Sequence, residues 1–255
     1  MSADHISLIA VGDIAPDRED PATCFDRSRH ILKAHDIGFC QLEMNLTERG
    51  SRLPQARHAV RGKPSIAPAL VNAGLEVVSV AGNHCLDWGQ ESLQDTLDNL
   101  RKAHARPVGA GHNILAARQR VIVERKGLRV AFLAYCSILP QNYWADELSG
   151  GCAPMRAFTH YEQIEHDQPG TPARIQTFPH RGDLIAMQAD IRAAREQADS
   201  VIVSHHWGIH FVPAVVADYQ RDVGYAAIEA GADAVLGHHA HILKGVEFHL
   251  GKPIF

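Results

Sequence analysis

Short apolar runs alternate with amphipathic helical stretches along this 255-residue chain, and this alternation constrains its fold most. Period-2 and β-branched patterns predict strands at residues 5–11, 39–42, 75–81, 121–124, 130–135, 201–204 and 234–236. Apolar stripes predict helices at Gln90–Lys102, with Asp87 as the expected N-cap, and at residues 184–197 and 219–230. Strand–helix alternation predicts an α/β layered fold.

Residues 141–181 interrupt this alternation. They are rich in Gly, Pro, Thr and Gln and show little hydrophobic periodicity, which predicts a long loop or lid rather than a second domain. We therefore expect one domain over residues 1–255 with a loop-rich insertion at about 141–181. The insertion is either functional or a mobile segment without a role.

The composition narrows the classes of function. With a net charge of −4, the chain lacks the excess of basic residues that is typical of a nucleic-acid-binding protein. No apolar run reaches the roughly 18 residues of a membrane span. The amino terminus has neither a basic region nor a small-residue cleavage site, and the five cysteines form no CxxC pair. These features predict a cytoplasmic protein with reduced thiols, no nucleic-acid partner and no membrane segment.

Histidine makes up 17 of the 255 residues, and its placement is informative. Residues of metal-ligand type close the predicted strands or follow them directly, namely Asp13, Glu43, Asn83, His84, His206, His239 and His241. Carboxyl ends of strands line the ligand crevice in α/β sheets, so we expect these side chains to converge. Carboxylate, amide and imidazole ligands without thiolate suit Mn, Fe, Zn or Mg. A carboxylate such as Glu43 can bridge two ions that hold a hydroxide nucleophile.

Each candidate ligand also has a simpler interpretation. Asp13 is typical of a turn or helix cap, and Glu43 alone suits a surface or ion-paired carboxylate. His206 can pack on the tryptophan that follows it. The imidazoles of His239 and His241, two residues apart after a buried strand and a glycine, are harder to explain by packing and favour metal binding.

Five segments carry a resemblance to a known family. They are AVGD at 10–13, LEMNLT at 42–47, and the blocks at 77–100, 201–208 and 231–247. In these segments the chain resembles the CapA family, the poly-γ-glutamate capsule biosynthesis proteins within the calcineurin-like metallophosphoesterases. The resemblance implies an αββα four-layer sandwich, with two mixed sheets flanked by helices. It also implies a divalent-metal-dependent hydrolase of the phosphoesterase type.

The resemblance assigns a role to each candidate residue. It implies two divalent ions, with Asp13 and His241 binding the first, Asn83, His206 and His239 the second, and Glu43 bridging them. His84 matches the non-ligand catalytic histidine that faces the scissile phosphate. Ala15 stands where metallophosphoesterases carry a histidine, and Glu43 stands where they carry an aspartate. These departures predict a first metal that is weakly held or missing.

Other departures concern the substrate and the chain's extent. His210 replaces a carboxylate after the HWG block, and Gln41 replaces an asparagine before the Leu-Glu pair. The membrane anchor or export signal of capsule-linked members is absent, and the chain stops at Phe255 where the family continues through another strand. We therefore expect a truncated or naturally shortened form.

A basic stretch after the second block offers substrate contacts. Arg61 and Lys63 are candidates for binding a phosphate or a glutamate-type carboxylate, and the alternative is a solvated basic loop. His205 and His210 are further candidates for substrate binding.

Three functions remain open from the sequence. The first is a metal-dependent hydrolase acting on a small phosphoester. The second is a component of poly-γ-glutamate synthesis that handles γ-glutamyl peptides, as a hydrolase or as an accessory to a ligase. The third is a non-catalytic, metal-stabilised scaffold, which the missing first-site histidine keeps open. The metal's identity, the substrate and the oligomeric state are undetermined.

Overall fold

A computed structural model describes residues 5–255 of the chain. Its strands are β1 Leu8–Ile14, β2 Ile37–Leu42, β3 Asn45–Leu46, β4 Arg61–Gly62, β5 Val77–Ser79, β6 Arg106–Val108, β7 Ala110–Gly111, β8 Val121–Arg125, β9 Leu128–Cys136, β10 Gly151–Cys152, β11 Ala157–Glu162, β12 Arg174–Pro179, β13 Ser200–His206, β14 Ala234–His238, β15 Glu247–His249 and β16 Lys252–Ile254. Its helices are α1 Arg29–Leu32, α2 Ile66–Asn72, α3 Gln90–Lys102, α4 Ile114–Ala117, α5 Arg181–Arg195 and α6 Asp218–Glu229, with a 3₁₀ turn at Pro21–Phe25. The predicted bounds of α3 are confirmed, and the other predicted elements lie within a few residues of the observed ones.

Two sheets form the centre of the fold. The first, which we call the parallel sheet, has the order β1-β2-β5-β6 and pairs its strands in parallel throughout. The second, the mixed sheet, has the order β15-β16-β14-β13-β9-β8 and is antiparallel only at its two ends. The predicted layered α/β fold is confirmed, but the first sheet is not mixed as predicted.

The two sheets pack face to face through an apolar core. Phe39 of β2 and Phe132 of β9 stack at 5.9 Å between ring centroids, which joins one sheet to the other. Helix α3 packs with the parallel sheet, while α5 and α6 bury Met187 and Val223 against the mixed sheet. Burial of these apolar faces is the main favourable term that holds the layers together.

The 141–181 segment contains strands that the sequence did not predict. β11 and β12 form a two-stranded antiparallel ribbon, and β10 pairs with β7. The ribbon rests on α6, where the backbone N–H of Tyr219 donates to Thr177 Oγ1 at 3.1 Å. The prediction of a loop is therefore wrong for the ribbon. Most of its residues are exposed on both faces, so no alternating hydrophobic pattern marks it.

None of the helices in residues 5–255 combines the length and the hydrophobicity that a membrane span requires. The expected cytoplasmic location and the single domain stay predictions.

Candidate metal centre

A bulge in β1 aims the first candidate ligand. Ala10 pairs with Phe39 and Asp13 with Gln41, so three residues of β1 span two of β2. Such bulges bend a strand and redirect a side chain, often beside a functional site. Here the Asp13 carboxylate points across to the mixed sheet, where its Oδ2 accepts the backbone N–H of His239 at 2.8 Å.

Three ligand atoms surround one nitrogen of His206 at the end of β13. Its Nε2 lies 2.7 Å from Asn83 Oδ1, 3.2 Å from His239 Nδ1 and 3.3 Å from Glu43 Oε1. Ligand atoms of Glu43, His206 and His239 all lie within 4.8 Å of one another. We call these three residues with Asn83 the histidine-rich group.

A second group lies on the other side of Glu43. His241 Nδ1 is 3.5 Å from Asp13 Oδ2, and His241 Nε2 is 3.8 Å from Glu43 Oε2. Asp13, Glu43 and His241, which we call the carboxylate-rich group, also keep their ligand atoms within 4.8 Å. Glu43 is common to both groups, as a bridging carboxylate would be.

The arrangement fits bound cations better than a closed hydrogen-bond network. One N–H of His206 can satisfy only one of the three ligand atoms around it. Asp13 Oδ1, Glu43 Oε1 and His206 Nδ1 are buried and have no hydrogen-bond partner within residues 5–255. Buried acceptors without donors are costly, and a cation removes that cost. The oxygen and nitrogen donor set suits Mn, Fe, Zn or Mg, as predicted from the sequence.

Backbone strain accompanies the last two histidines. His239 and His241 have φ values of 85° and 52°, the left-handed region that side chains with a Cβ seldom adopt. Strain of this kind persists only where the surrounding structure enforces it, and it is common at binding sites. The two conformations bring both imidazoles to the same edge after β14.

The electrostatics of the site lower the pKa of the buried imidazoles of His206 and His239 and shift the pKa values of the two carboxylates in opposite directions. Burial lowers the pKa of His239 to about 3, with neighbouring histidines adding to the effect. Burial raises the pKa of Glu43 to about 7, with the charge of Asp13 in support. Burial opposes ionisation of Asp13 too, but His206 and the His239 N–H hold its pKa below the usual value. Neutral imidazole is the form that binds metal.

His84 belongs to neither group. Its Nδ1 lies 2.6 Å from Asp87 Oδ2, and Asp87 Oδ1 accepts the Tyr143 hydroxyl at 2.9 Å. Burial alone would lower the pKa of His84, but its hydrogen bond to Asp87 and nearby carboxylates raise it above the usual value. The prediction of Asp87 as the N-cap of α3 is wrong, because Gly89 at φ 86° occupies that position.

Sequence reasoning missed this role of Asp87 and Tyr143. The three-residue spacing from His84 to Asp87 within NHCLD was the available signal for the first contact. No local sequence pattern predicts the contact of Tyr143 with Asp87, because Tyr143 lies in the segment interpreted as a loop.

The predicted substrate-binding residues differ in their exposure to solvent. Arg61 and Lys63 are exposed, and the Arg61 guanidinium lies 4.3 Å above the ring of Trp88. His210 is also exposed, and its ring centroid is 5.1 Å from that of His239.

His205 cannot contact a substrate from its position. It is fully buried, and its ring stacks on Tyr135 and Trp207 at 5.6 and 4.7 Å between centroids. Successive side chains of a strand point to opposite faces, so His206 faces the metal groups while His205 faces the helices. The prediction for His205 is wrong.

Fold and site together define a two-sheet α/β protein with two adjoining candidate metal groups at its strand ends. The chain belongs to the family described as bacterial capsule synthesis protein PGA_cap, whose sequence profile matches residues 7–255. The predicted membership of the CapA family is confirmed, and a calcineurin-like superfamily placement is consistent with it.

Similar proteins carry related names. A probable polyglutamine synthesis accessory protein of Mycobacterium tuberculosis is 31% identical over 87% of this chain and 54% of its own length. The PGA biosynthesis protein CapA of Bacillus subtilis is 28% identical over 100% of this chain and 62% of its own. The chain thus spans less than two thirds of the length of these relatives. A crystal structure of a hypothetical Thermus thermophilus protein shares the fold, at a TM-score of 0.50 and 17% identity, over 93% of this chain and 69% of that one.

Proposed function

We propose that this protein is a divalent-metal-dependent hydrolase of the phosphoesterase type. The observation that carries the proposal is the position of Glu43 between the two groups, 3.3 Å from His206 Nε2 and 3.8 Å from His241 Nε2. A shared carboxylate is the arrangement that places two ions side by side at one substrate.

Two divalent ions, when bound, supply Lewis acidity toward phosphoryl oxygens and toward water. The chain's own residues supply the rest. Asp13, Glu43 and His241 would hold one ion, and Asn83, His206 and His239 with Glu43 the other. His84 lies next to Asn83, with its Nδ1 held by Asp87 and its Nε2 3.3 Å from Asn83 Nδ2. When the ring is protonated, its Nε2–H could donate a hydrogen bond or a proton to a reacting oxygen.

Handling of γ-glutamyl peptides is the second candidate function. Family membership favours it, since the profile describes capsule synthesis and one relative is named a PGA biosynthesis protein. The same two metal groups would suit hydrolysis of a γ-glutamyl amide bond, because Lewis acids also polarise carbonyl oxygens.

Turnover with defined substrates tests the proposal and separates it from the alternative. Protein stripped with EDTA and reloaded with Mn²⁺ is assayed for hydrolysis of an aryl phosphate monoester, an aryl phosphate diester and a γ-glutamyl oligopeptide. We expect Mn²⁺-dependent hydrolysis of at least one phosphoester and loss of that activity in Glu43→Gln. Glu48→Gln, at an exposed position, is the matched control.

The outcomes discriminate the three functions. Cleavage of the oligopeptide alone would favour the second function over the first. A metal-loaded protein that cleaves none of the three substrates would favour the non-catalytic scaffold.

A further inference from the structure

The loop at residues 209–216, which we call the site loop, places one aromatic ring beside each metal group. The His210 ring lies 5.1 Å from the ring of His239, in the histidine-rich group. The Phe211 ring lies 5.3 Å from the ring of His241, in the carboxylate-rich group. Two consecutive side chains therefore border both candidate ion positions.

The site loop is held in this position by specific contacts. The backbone N–H of Phe211 donates to Ala240 O at 3.0 Å, which ties the loop to the segment that carries both histidines. Lys244 Nζ donates to the carbonyls of Val212 and of Val215, the latter at 3.0 Å. The backbone position of Phe211 is therefore set by contacts with the segment after β14 rather than by local preference.

Phe211 adopts an unfavourable backbone conformation and exposes its ring. Its φ is 60°, in the left-handed region, where a bulky residue is unusual. Its side chain is 62% exposed although an aromatic ring gains stability when buried. A strained residue with an exposed ring beside a candidate active site is better explained by ligand contact than by packing.

The site loop and the segment that follows His241 expose apolar side chains. Val212, Val215 and Leu243 are 41, 44 and 100% exposed, and the Lys244 ammonium donates to the carbonyls of Val212 and Val215. An apolar border of this kind favours an uncharged, flat group. A γ-glutamyl polymer would instead bring one carboxylate per residue against it, at a cost in desolvation.

We infer that Phe211 is the wall of a substrate subsite that binds the planar apolar group of an aryl-type phosphoester. The inference rests on the proposed function and names the substrate class of that site. The ring would stack on the planar group while the phosphate lies at the metal groups, so Phe211 would set specificity without taking part in the chemistry.

Matched substrates and variants test this subsite. Phenyl phosphate and ethyl phosphate differ in the planar group, and both are assayed with Mn²⁺-loaded wild type, Phe211→Ala, Phe211→Leu and Phe248→Ala. Phe248 is 68% exposed on β15 and serves as the control. We expect Phe211→Ala to lower kcat/KM for phenyl phosphate about 3- to 10-fold, mainly through KM, with ethyl phosphate little changed. Phe211→Leu should fall between.

A binding measurement separates this inference from the proposed function. Titration calorimetry compares phenylphosphonate with methylphosphonate on the metal-loaded protein, with metal content checked by elemental analysis. Preferential phenylphosphonate binding that Phe211→Ala abolishes supports the subsite even if neither phosphate ester is hydrolysed, an outcome that would overturn only the proposed function. Equal affinities in the wild type, or an equal loss for both ligands in Phe211→Ala, would overturn the subsite.

Discussion

His84 and Asp87 form a 2.6 Å contact between Nδ1 and Oδ2, and the Asp87 side chain that makes it is almost fully buried. Tyr143 holds the other carboxylate oxygen at 2.9 Å. Such a contact fixes the ring orientation and the tautomer, with Nδ1–H donating to the carboxylate. The His84 Nε2 atom lies on the other side of the ring, 3.3 Å from Nδ2 of Asn83.

Replacing His84 tests its role at the reacting centre. If it hydrogen-bonds or protonates a reacting oxygen, His84→Ala should lower kcat by about 10²–10⁴-fold with metal content near wild type. His35→Ala, at an exposed position, should leave both unchanged. Steady-state kinetics with elemental analysis decides the point. Loss of metal would contradict a non-ligand role, and unchanged turnover at full metal occupancy would leave only a structural one.

Replacing Asp87 tests the positioning of His84. Asp87→Asn keeps the shape but offers an amide, which can donate to Nδ1 and stabilise the wrong tautomer. We expect kcat to fall by at least about tenfold with metal content retained, since a misplaced proton removes much of the acid–base contribution. Asp98→Asn, at a half-buried position on α3, is the control. Wild-type turnover in Asp87→Asn would show that the contact does not orient a functional group.

Replacing Glu43 tests whether its carboxylate bridges the two proposed ions. Glu43→Gln should reduce the metal bound at both groups, because a neutral amide compensates less of the charge of two adjacent dications. A surface carboxylate would leave metal content and stability unchanged, as we expect for Glu48→Gln. Metal stoichiometry by elemental analysis is the measurement. Retention of both ions by Glu43→Gln would refute the bridge.

The two histidines after β14 should affect different ions. His239→Ala should abolish binding of the ion in the histidine-rich group, and His241→Ala should abolish binding of the ion in the carboxylate-rich group. Each substitution removes one ligand from one group. Titration of stripped protein with Mn²⁺ should then show the ion of the other group retained in each variant. The same loss in both variants would mean that the groups form a single site.

Asp233, a carboxylate outside the two metal groups, should make a pH-dependent contribution to stability. Asp233 accepts the Val201 N–H at 2.9 Å, Lys252 Nζ at 2.9 Å and Arg195 Nη1 at 2.6 Å. Burial opposes its ionisation, but the hydrogen bond from Lys252 and the other partners lower its pKa below the usual value. Its stabilisation is therefore present above the unfolded-state pKa, near 4, and lost as pH falls through the lower folded-state value.

Asp233→Asn should accordingly lower the free energy of unfolding at pH 7 by about 1–3 kcal/mol. The difference from wild type should shrink as pH falls below about 4. Urea unfolding between pH 7 and pH 3 measures it, with Asp17→Asn as the exposed control. A difference independent of pH would show that the ionised form of Asp233 is not what stabilises the fold.

Much of the architecture and of the candidate ligand set could be predicted from the sequence alone. The 3.6-residue stripe of α3 and the β-branched runs at 75–81 and 201–204 are local patterns, and local patterns report local structure. The identities of Glu43, Asn83 and His206 were equally visible, because each follows or closes a buried run whose end must lie at a sheet edge.

Only the tertiary structure decided which of these side chains meet. The bulge that aims Asp13, the left-handed conformations of His239 and His241, and the contact of Asp87 with Tyr143 all depend on neighbours distant in sequence. The same holds for His205, whose face of β13 is fixed by packing on Tyr135 rather than by its own residue type. A propensity records the average preference of a residue, whereas these positions are set by contacts that override it, so no local pattern could have predicted them.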